Sequence, residues 1–385
     1  LDNASTTYVS NEVLNEMLPC FNTIYGNAGS LHSFGRSSVA VLDKARDRIR
    51  EAINAKKSSE IYFTSGGTEA DNWAVIGIAH AYANKGKHII TSKIEHHAVL
   101  NACHQLEKEG YQVTYLPVDE NGLVNITELL HAIKKGTTLI SIMAVNNEVG
   151  TIQNIKTIAK IAHDYDVVFH SDAVQAIGNL NINVQDMEID ALSISGHKIH
   201  GPKGVGALYV KTGVKIDPIT FGGESQERGK RAGTENVPGI AGLGKAVEIA
   251  CRNQPLTSRK LKQTRDYFVE KLNEKIEFFQ INGHKHQKSN AILNVSFYGI
   301  EGESLLMLLD LAGICVSTSS ACTSKSLLPS HVLKAMKVPD EIAQGSIRFS
   351  LGTNTSKSDI DYVVEEIRKA VTKLRAISPV QPGRF

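Results

Sequence analysis

The sequence has few cysteines, and their arrangement excludes two common architectures. There are five in 385 residues, an odd number without any C-x-x-C pair: Cys20, Cys103, Cys251, Cys315 and Cys322. This pattern argues against a disulfide framework and against a zinc knuckle. The histidines do not have the spacing of a zinc or facial-triad site either. We therefore expect no intrinsic metal, and the free thiols imply a reducing compartment.

An excess of charge of one sign and long apolar runs are also missing. The 42 basic and 40 acidic side chains are mixed along the chain and give a formal net charge of only +2. No basic patch favours nucleic acid or an anionic membrane, and the apolar runs are far too short to cross a bilayer. The first residues resemble neither a signal peptide nor an Arg-rich presequence. We expect a cytoplasmic protein that binds neither nucleic acid nor membrane.

Short apolar runs alternate with helical patterns and predict an α/β fold. Between Ile61 and about Val210 the runs IYFTS, HIITS, TLISIMAV, VVFHSDAV and DALSIS are separated by helix-length segments, two of which we expect over 71–82 and 97–108. This alternation is typical of a mostly parallel central sheet. In such sheets catalytic groups gather at the carboxyl ends of the strands.

The length of the chain predicts two domains, because single cores rarely grow beyond about 250–300 residues. A polar break at 252–255 precedes an amphipathic helix that we expect over about 258–274. We therefore expect residues 16–255 to form a large domain. Residues 1–15 together with 256–385 should form a smaller α+β domain.

Two polar motifs follow predicted strands and suit the binding of a phosphorylated ring. The turn TSGGTE contains Gly67 and Thr68 and opens a helix, so its backbone N–H groups are suited to a phosphate. The alternative is a plain turn with Thr68 as helix N-cap and Asp71 as its capping-box partner. Asp172 ends a buried run, with Gln175 three residues later, and a carboxylate there would keep a pyridinium nitrogen protonated. Its alternative role is to cap the next helix.

A lysine and a histidine follow two further strands. Lys198 lies in a Gly-His-Lys turn after DALSIS, where partial desolvation and nearby cations would lower its pKa, as a Schiff-base lysine requires. An ordinary surface lysine is the alternative. His96, in Glu95-His96-His97, would stand at the same edge and could stack on an aromatic cofactor or move protons near neutral pH. Metal ligation is the competing interpretation.

Two motifs near the end of the chain suit sulfur and carboxylate chemistry. Cys322 lies in the small polar run STSSACTSKS, which is typical of an exposed loop. The other four cysteines sit in apolar or helical contexts, where buried and inert thiols are expected. Arg348 is a lone guanidinium in the strand-like run GSIRFSLG and is suited to bidentate capture of a carboxylate. Its alternative is an exposed charge at a strand edge.

In this order, the motifs resemble those of pyridoxal 5'-phosphate (PLP) enzymes of the aspartate-aminotransferase fold. With Ser-Ala-Cys-Thr-Ser added, the chain resembles the cysteine desulfurases of the NifS/IscS-like branch of the class-V aminotransferases, from Leu1 to Arg375. The resemblance implies the PLP-dependent transferase fold type I, an α/β fold with a mostly parallel central sheet and a smaller α+β domain. It also implies a homodimer.

The cofactor contacts implied by the resemblance form two sets. The set around the ring comprises a Schiff-base lysine, a partner for the pyridine nitrogen, a partner for the ring hydroxyl, a stacked imidazole and a nearby amide: Lys198, Asp172, Gln175, His96 and Asn147. The set around the phosphate consists of Gly67, Thr68, Ser195 and His197, with Thr234 reaching the phosphate of the partner subunit.

The resemblance also implies the reaction. Asn147 and Arg348 would hold the carboxylate of L-cysteine, Lys198 would remove the Cα proton, and Cys322 would take the sulfur as a persulfide. An iron–sulfur scaffold or another sulfur acceptor would receive it, and Cys322 could transiently ligate a shared Fe–S cluster. The family usually has Gly where this chain has Ser319. The alternatives are another PLP enzyme, such as a selenocysteine lyase or an aminotransferase, and a non-catalytic relative.

Overall fold

Within the part of the chain that the structure describes, the larger of two sheets has seven strands. In the computed structural model residues 1–223, 225–318 and 330–379 are described, so Ser319 and Cys322 lie outside the described residues. The strand order is β1-β7-β6-β5-β4-β2-β3. The strands are β1 (Ile61–Thr64), β2 (His88–Ser92), β3 (Gln112–Leu116), β4 (Thr137–Ser141), β5 (Val168–Asp172), β6 (Ala191–Ser195) and β7 (Gly206–Val210).

Only β7 runs against its neighbours in this sheet, and every other neighbouring pair is parallel. This confirms the predicted mostly parallel sheet. Strands β2, β4, β5, β6 and β7 are buried at every position. Helices cover both faces of such a sheet, which explains why its strands are apolar runs without alternation.

The helices before and between these strands are α1 (Asn11–Met17), α2 (Pro19–Asn22), α3 (Ser33–Ala52), α4 (Gly67–Asn72), α5 (Ile78–Ala81), α6 (His97–Lys108), α7 (Ile126–Ala132) and α8 (Ile155–Asp164). Helix α6 has the predicted bounds. The helix predicted over 71–82 begins earlier, at Gly67, and a wider helical turn at Trp73–Gly77 joins α4 to α5. In that turn Trp73 Nε1 donates to the carbonyl oxygen of Asp217 at 2.9 Å, so a tertiary contact accompanies the irregularity.

The break predicted at 252–255 is wrong, because helix α9 (Val237–Lys275) runs through it with Pro255 inside. A proline inside a helix costs about 3 kcal/mol or more. Two apolar cores hold the helix on either side of this point: Ile240 and Leu243 pack into the core of the large sheet, and Phe268 and Leu272 into a second core. Packing at both ends therefore outweighs the defect.

The second core lies against a four-stranded antiparallel sheet in the order β10-β11-β9-β8. Its strands are β8 (Phe279–Asn282), β9 (Ile292–Phe297), β10 (Ser317–Thr318) and β11 (Ser346–Ser350). The remaining helices are α10 (Gly302–Leu311), α11 (His331–Ala335), α12 (Asp340–Ala343) and α13 (Lys357–Ile377). Helix α11 packs Val332 and Leu333 into the core of the large sheet instead.

Three short 3₁₀ turns complete the described secondary structure: Ser58–Glu60, Gly196–Lys198 and Gln226–Gly229. Among the helices that the structure describes, none combines the length and the apolar composition needed to span a bilayer. Within the same residues, His, Cys, Asp and Glu side chains form no cluster of three or more that could hold a metal ion.

Candidate active site

A cavity of about 360 Å³ lies at the carboxyl edge of the large sheet. It brings together ten of the residues predicted from the sequence: Gly67, Thr68, His96, Asn147, Asp172, Gln175, Ser195, His197, Lys198 and Arg348. Strands β1, β2, β4, β5 and β6 all point towards this edge. Each therefore delivers the polar residues that follow it to the same place.

The glycine turn after β1 forms one wall of the cavity. Gly66 has a φ of 156°, and helix α4 begins at Gly67. Thr68 is therefore not the N-cap, and the capping-box alternative is wrong, since Asp71 lines the cavity. A Cβ at Gly67 would lie 2.8 Å from Val174 Cγ2 and 3.4 Å from Ser195 Cβ. A side chain at Gly67 would therefore clash with Val174, so the close packing of this turn requires glycine.

Lys198 follows β6 in the turn Gly196–Lys198 and faces the cavity. Its Nζ donates to the carbonyl oxygens of Ala4 and Ser5, at 2.5 and 2.8 Å. The N-terminal segment thus orients the amine, which excludes the alternative of an ordinary surface lysine. Gln175 Nε2 donates to the same carbonyl of Ala4 at 3.1 Å.

Asp172 is a buried carboxylate at the end of β5. Its Oδ1 accepts the N–H of Val174 at 2.8 Å, so it also stabilises the following turn. Burial raises the pKa of Asp172 to about 6, although the Val174 N–H and Lys198 act in the opposite direction. A cationic ring nitrogen at this carboxylate would favour the ionised form and reverse that shift.

Asp71 is a second buried carboxyl that lines the cavity. Its Oδ1 has no hydrogen-bond partner among the described residues, and His170 Nε2 lies 3.9 Å away. Burial, together with Asp172, raises the pKa of Asp71 well above its usual value. At neutral pH we therefore assign the proton to Asp71 and the negative charge to Asp172.

His96 is the N-cap of α6, where its Nδ1 accepts the N–H of Ala98 at 3.1 Å. Burial lowers the pKa of His96 to about 4, with further contributions from Lys198 and His97. The imidazole is therefore neutral at pH 7, and in this state it carries its proton on Nε2. Such a ring is suited to stacking on a flat cofactor.

Arg348 lies in the middle of β11 between two neighbouring strands and is buried, so the strand-edge alternative is wrong. Its Nη1 donates to the carbonyl oxygen of Asn147 at 3.0 Å. Its Nη2 donates to Ser5 Oγ, Ser317 Oγ and Asp2 Oδ1, at 2.7, 3.1 and 3.2 Å. The buried Nε has no acceptor among the described residues, and Arg348 lines the cavity.

Residues 1–363 match the family described as aminotransferase class-V. The chain belongs to this family. It is 51% identical over 379 residues to "Cysteine desulfurase IscS" of Dictyoglomus turgidum, which covers 98% of this chain and 96% of the relative. It is 52% identical over 385 residues to "Cysteine desulfurase IscS" of Methanosarcina thermophila, with 100% and 95% covered.

A solved structure of a NifS-like protein superimposes with a TM-score of 0.91 at 38% identity, covering 97% of this chain and 99% of that chain. The comparisons therefore confirm the class-V aminotransferase family, the predicted fold class, and an enzyme that depends on PLP. The cavity fits this cofactor, because the start of helix α4, the amine of Lys198 and the buried carboxylate of Asp172 all line it.

Two predicted residues are not part of the cavity as described. Thr234 is exposed and is not among the described residues that line the cavity, and Cys322 is outside the described residues. The expectation that Cys315 is buried is wrong, because its side chain is exposed. It lies between Ile314 and Val316, which are both buried; in an extended segment alternate side chains face opposite sides.

The structure also places residues in this class-V aminotransferase site that the sequence analysis missed. Three of these residues come from the start of the chain, namely Asp2, Ala4 and Ser5. No local sequence pattern predicts their place at the site. Glu148 lines the cavity next to Asn147. Burial raises the pKa of Glu148 to about 7, opposed by Ser330 and Arg348. Its position directly after Asn147, at the end of a strand-end motif, was the signal available.

Proposed function

We propose that this protein is a cysteine desulfurase that converts L-cysteine to L-alanine and places the sulfur on Cys322. The relatives of the chain carry the same activity in their names. The proposal rests on one observation: Lys198, Asp172 and Arg348 line the same cavity. These side chains combine an amine that can bond an aldehyde, a carboxylate for a ring nitrogen, and a buried donor for a carboxylate.

The residues that would hold PLP are those named from the sequence. Asp172 and Gln175 would contact the ring, His96 would stack on it, and Lys198 would bond its aldehyde. Gly67, Thr68, Ser195 and His197 would contact the phosphate. PLP, when bound, supplies an electron sink for the Cα of the substrate.

Arg348 and Asn147 would orient the substrate through its carboxylate. The Nε of Arg348 is a buried donor that lacks an acceptor among the described residues, and a charge-assisted bond there is stronger than a neutral one. Lys198 would accept the Cα proton on Nζ. Its two carbonyl contacts with Ala4 and Ser5 keep the amine at the cavity when it is not otherwise engaged.

Cys322 would act as the sulfur acceptor. Its thiolate attacks the substrate sulfur, the S–S bond forms and the C–S bond breaks. The electron pair of the C–S bond stays with the three-carbon fragment, which is protonated and leaves as alanine. The persulfide sulfur then passes to an iron–sulfur scaffold or another acceptor, or leaves as sulfide when a thiol reduces it.

We also propose a cytoplasmic homodimer in which Thr234 reaches the phosphate of the partner subunit. Large apolar side chains are exposed near the N-terminus, including Phe21, Tyr25, Leu31 and Phe34, and Phe221 is exposed in the segment before Thr234. Exposed apolar side chains of this size are typical of a surface that a protein covers. The balanced charge and the free thiols support a cytoplasmic location.

The division into residues 16–255 and residues 1–15 with 256–385 remains a proposal. Two of the three apolar cores of the described residues support it, one on the large sheet and one on the four-stranded sheet. Helix α9 contributes to both cores, and α11 packs on the large one. Hydrogen exchange would test the division: we expect the two cores to open with different free energies.

The activity is tested by incubating the holoenzyme with L-cysteine and a thiol reductant. Alanine and sulfide should appear in equal amounts, and Cys322→Ser should form no sulfide. Alanine formation from L-selenocysteine alone would favour a selenocysteine lyase. Formation of a keto acid would favour an aminotransferase.

A further inference from the structure

An ion pair joins the glycine turn to the segment that carries Thr234. Arg231 Nε and Nη2 donate to the two carboxylate oxygens of Glu69, at 2.7 and 3.0 Å. The same carboxylate accepts the backbone N–H of Ser65 at 2.7 Å. Glu69 therefore closes the turn that begins at Ser65, and the guanidinium of Arg231 holds the Glu69 carboxylate with two hydrogen bonds.

The segment just before Arg231 is fixed on the strand that leads into this turn. Glu227, four residues before it, forms a buried bidentate pair with Arg46, at 2.9 and 3.0 Å. It also accepts the N–H of Phe63 in β1 at 3.1 Å. Arg228 lies over the ring of Tyr62, in the same strand, at 4.1 Å.

Backbone strain accompanies these contacts. Glu227 and Arg228 have φ values of 42° and 59°, a region that side chains with a Cβ rarely adopt. Such strain persists only where surrounding contacts fix the backbone. The segment that carries Arg231 is therefore held in place by the fold, which distinguishes the Arg231–Glu69 pair from most surface ion pairs, whose contribution to stability is small.

The charge of Glu69 matters because of what the turn is expected to bind. Glu69 follows directly on Thr68, which lines the cavity together with Gly67. Its side chain is only 15% exposed and that of Arg231 22%. Burial alone would raise the pKa of Glu69, but hydrogen bonds from Arg231 and Ser65 outweigh it and lower the pKa. The carboxylate is therefore ionised at neutral pH.

An ionised carboxylate without a partner would repel the phosphate of PLP, which carries nearly two negative charges at pH 7. Partial burial strengthens this repulsion, since the dielectric screening is weaker than in water. We propose that Arg231 is a positioning residue that neutralises Glu69, so that the turn keeps its shape and still accepts a phosphate dianion. This inference rests on the phosphate site proposed at Gly67 and Thr68.

The test compares Arg231→Gln, Glu69→Gln and the double variant. The dissociation constants of PLP and of pyridoxal, which lacks the phosphate, are measured on the apoprotein by absorbance titration. Arg231→Gln should weaken PLP binding about tenfold or more, equivalent to about 1.4 kcal/mol. Glu69→Gln should stay within about threefold of wild type, and the double variant should recover most of the loss. Pyridoxal binding should change little in all three.

A purely structural pair gives a different pattern. Both single variants would then weaken PLP binding equally, the double variant would recover nothing, and pyridoxal binding would fall as well. Any of these three results overturns the inference. Arg231→Lys keeps the positive charge without the bidentate guanidinium, and its PLP binding should stay close to that of the wild type. If Arg231→Lys weakens PLP binding as much as Arg231→Gln does, the inference is also overturned. The melting temperature of each apoprotein identifies variants that fail to fold.

Two controls separate this inference from the phosphate site on which it rests. Thr68→Val should weaken PLP binding and leave pyridoxal binding unchanged. If the ratio of the PLP dissociation constant to the pyridoxal dissociation constant stays at its wild-type value, the phosphate site is wrong, and the role of Arg231 is wrong with it. Lys156→Gln removes one positive charge from an exposed pair with Asp186 at 3.0 Å. Lys156→Gln should leave PLP binding unchanged. If it weakens PLP binding as much as Arg231→Gln does, the effect of Arg231→Gln comes from net charge alone, and the inference is overturned.

Discussion

Arg348 Nη2 lies 3.2 Å from Asp2 Oδ1, and the two residues are 346 positions apart in the chain. The same oxygen of Asp2 accepts the hydroxyls of Ser5 and Ser317, at 2.9 and 2.7 Å. The N-terminal segment therefore holds the guanidinium before any substrate arrives. A substrate carboxylate must share Arg348 with Asp2, because the two anions use the same cation.

Arg348→Ala should raise the KM for L-cysteine about 10- to 100-fold, because a charge-assisted bond contributes about 1.5–3 kcal/mol. The kcat should fall less than kcat/KM. Steady-state alanine formation measures both constants. Arg368→Ala is the matched control, since Arg368 forms an exposed pair with Glu365 on α13. An unchanged KM in Arg348→Ala would remove this residue from substrate binding.

Borohydride should fix PLP covalently to Lys198, because a linkage between a lysine amine and an aldehyde is reducible. Peptide mapping by mass spectrometry locates the label. Lys198→Ala should abolish both the label and alanine formation, whereas Lys203→Ala, five positions further on, should retain both. A label on Lys203 or Lys211 would contradict the assignment.

Cys322→Ser should bind L-cysteine but release no sulfide, since the acceptor thiol is absent. The described cysteines provide the controls. Burial raises the pKa of Cys103 to about 12 and that of Cys251 to about 11, so both thiols are protonated at neutral pH. Serine at Cys103, Cys251, Cys20 or the exposed Cys315 should leave turnover nearly intact. Full sulfide release by Cys322→Ser would exclude Cys322 from the reaction.

Asp172→Asn should stabilise the apoprotein at neutral pH. Burial raises the pKa of Asp172 to about 6, whereas an unfolded chain has a pKa of about 3.9 at aspartate. Between about pH 4 and 6 the folded protein thus binds more protons than the unfolded one, and its stability falls as the pH rises. The raised pKa of Asp71 acts in the same direction.

The melting temperature of Asp172→Asn should therefore exceed that of the wild type by about 3 °C or more at pH 7. The difference should shrink towards pH 4, where the wild-type carboxyl is also neutral. Differential scanning fluorimetry of apoprotein from pH 4 to pH 8 provides the measurement. Asp186→Asn, on the surface, controls for the loss of one negative charge. A difference that grows towards pH 4 would show that the sign is wrong.

Thr234→Val should weaken PLP binding in the partner subunit rather than in its own. In mixed dimers with Lys198→Ala, only the Thr234→Val subunit keeps a competent lysine, and its phosphate would face an intact Thr234. These dimers should bind PLP at that site with nearly wild-type affinity, whereas Thr234→Val homodimers should bind it about tenfold more weakly, for loss of a hydrogen bond to a charged group. Equal weakening in both dimers would assign Thr234 to its own subunit.

Local sequence signals were sufficient for five strands of the large sheet and for the residues that follow them, whereas β3 and β7 were not among the predicted runs. Strand β2 and helix α6 have the expected bounds, because apolar runs and helical periodicity report burial directly. Asp172 and Lys198 reach the cavity because residues after parallel strands share one edge. The predicted break at 252–255 failed, because a polar tetrapeptide with proline reads as a loop unless distant cores hold the helix on both sides.

The sequence by itself determined the α/β class, the family, and ten of the residues that line the cavity. Only the tertiary structure decided the hydrogen-bond partners around the cavity. Arg348 donates to Asp2, Lys198 donates to the carbonyl oxygens of Ala4 and Ser5, and Arg231 donates to Glu69 beside the glycine turn. The physical reason is sequence separation. Strand periodicity and capping act over a few residues, whereas these contacts join segments that only the packing of two sheets and a shared helix brings together.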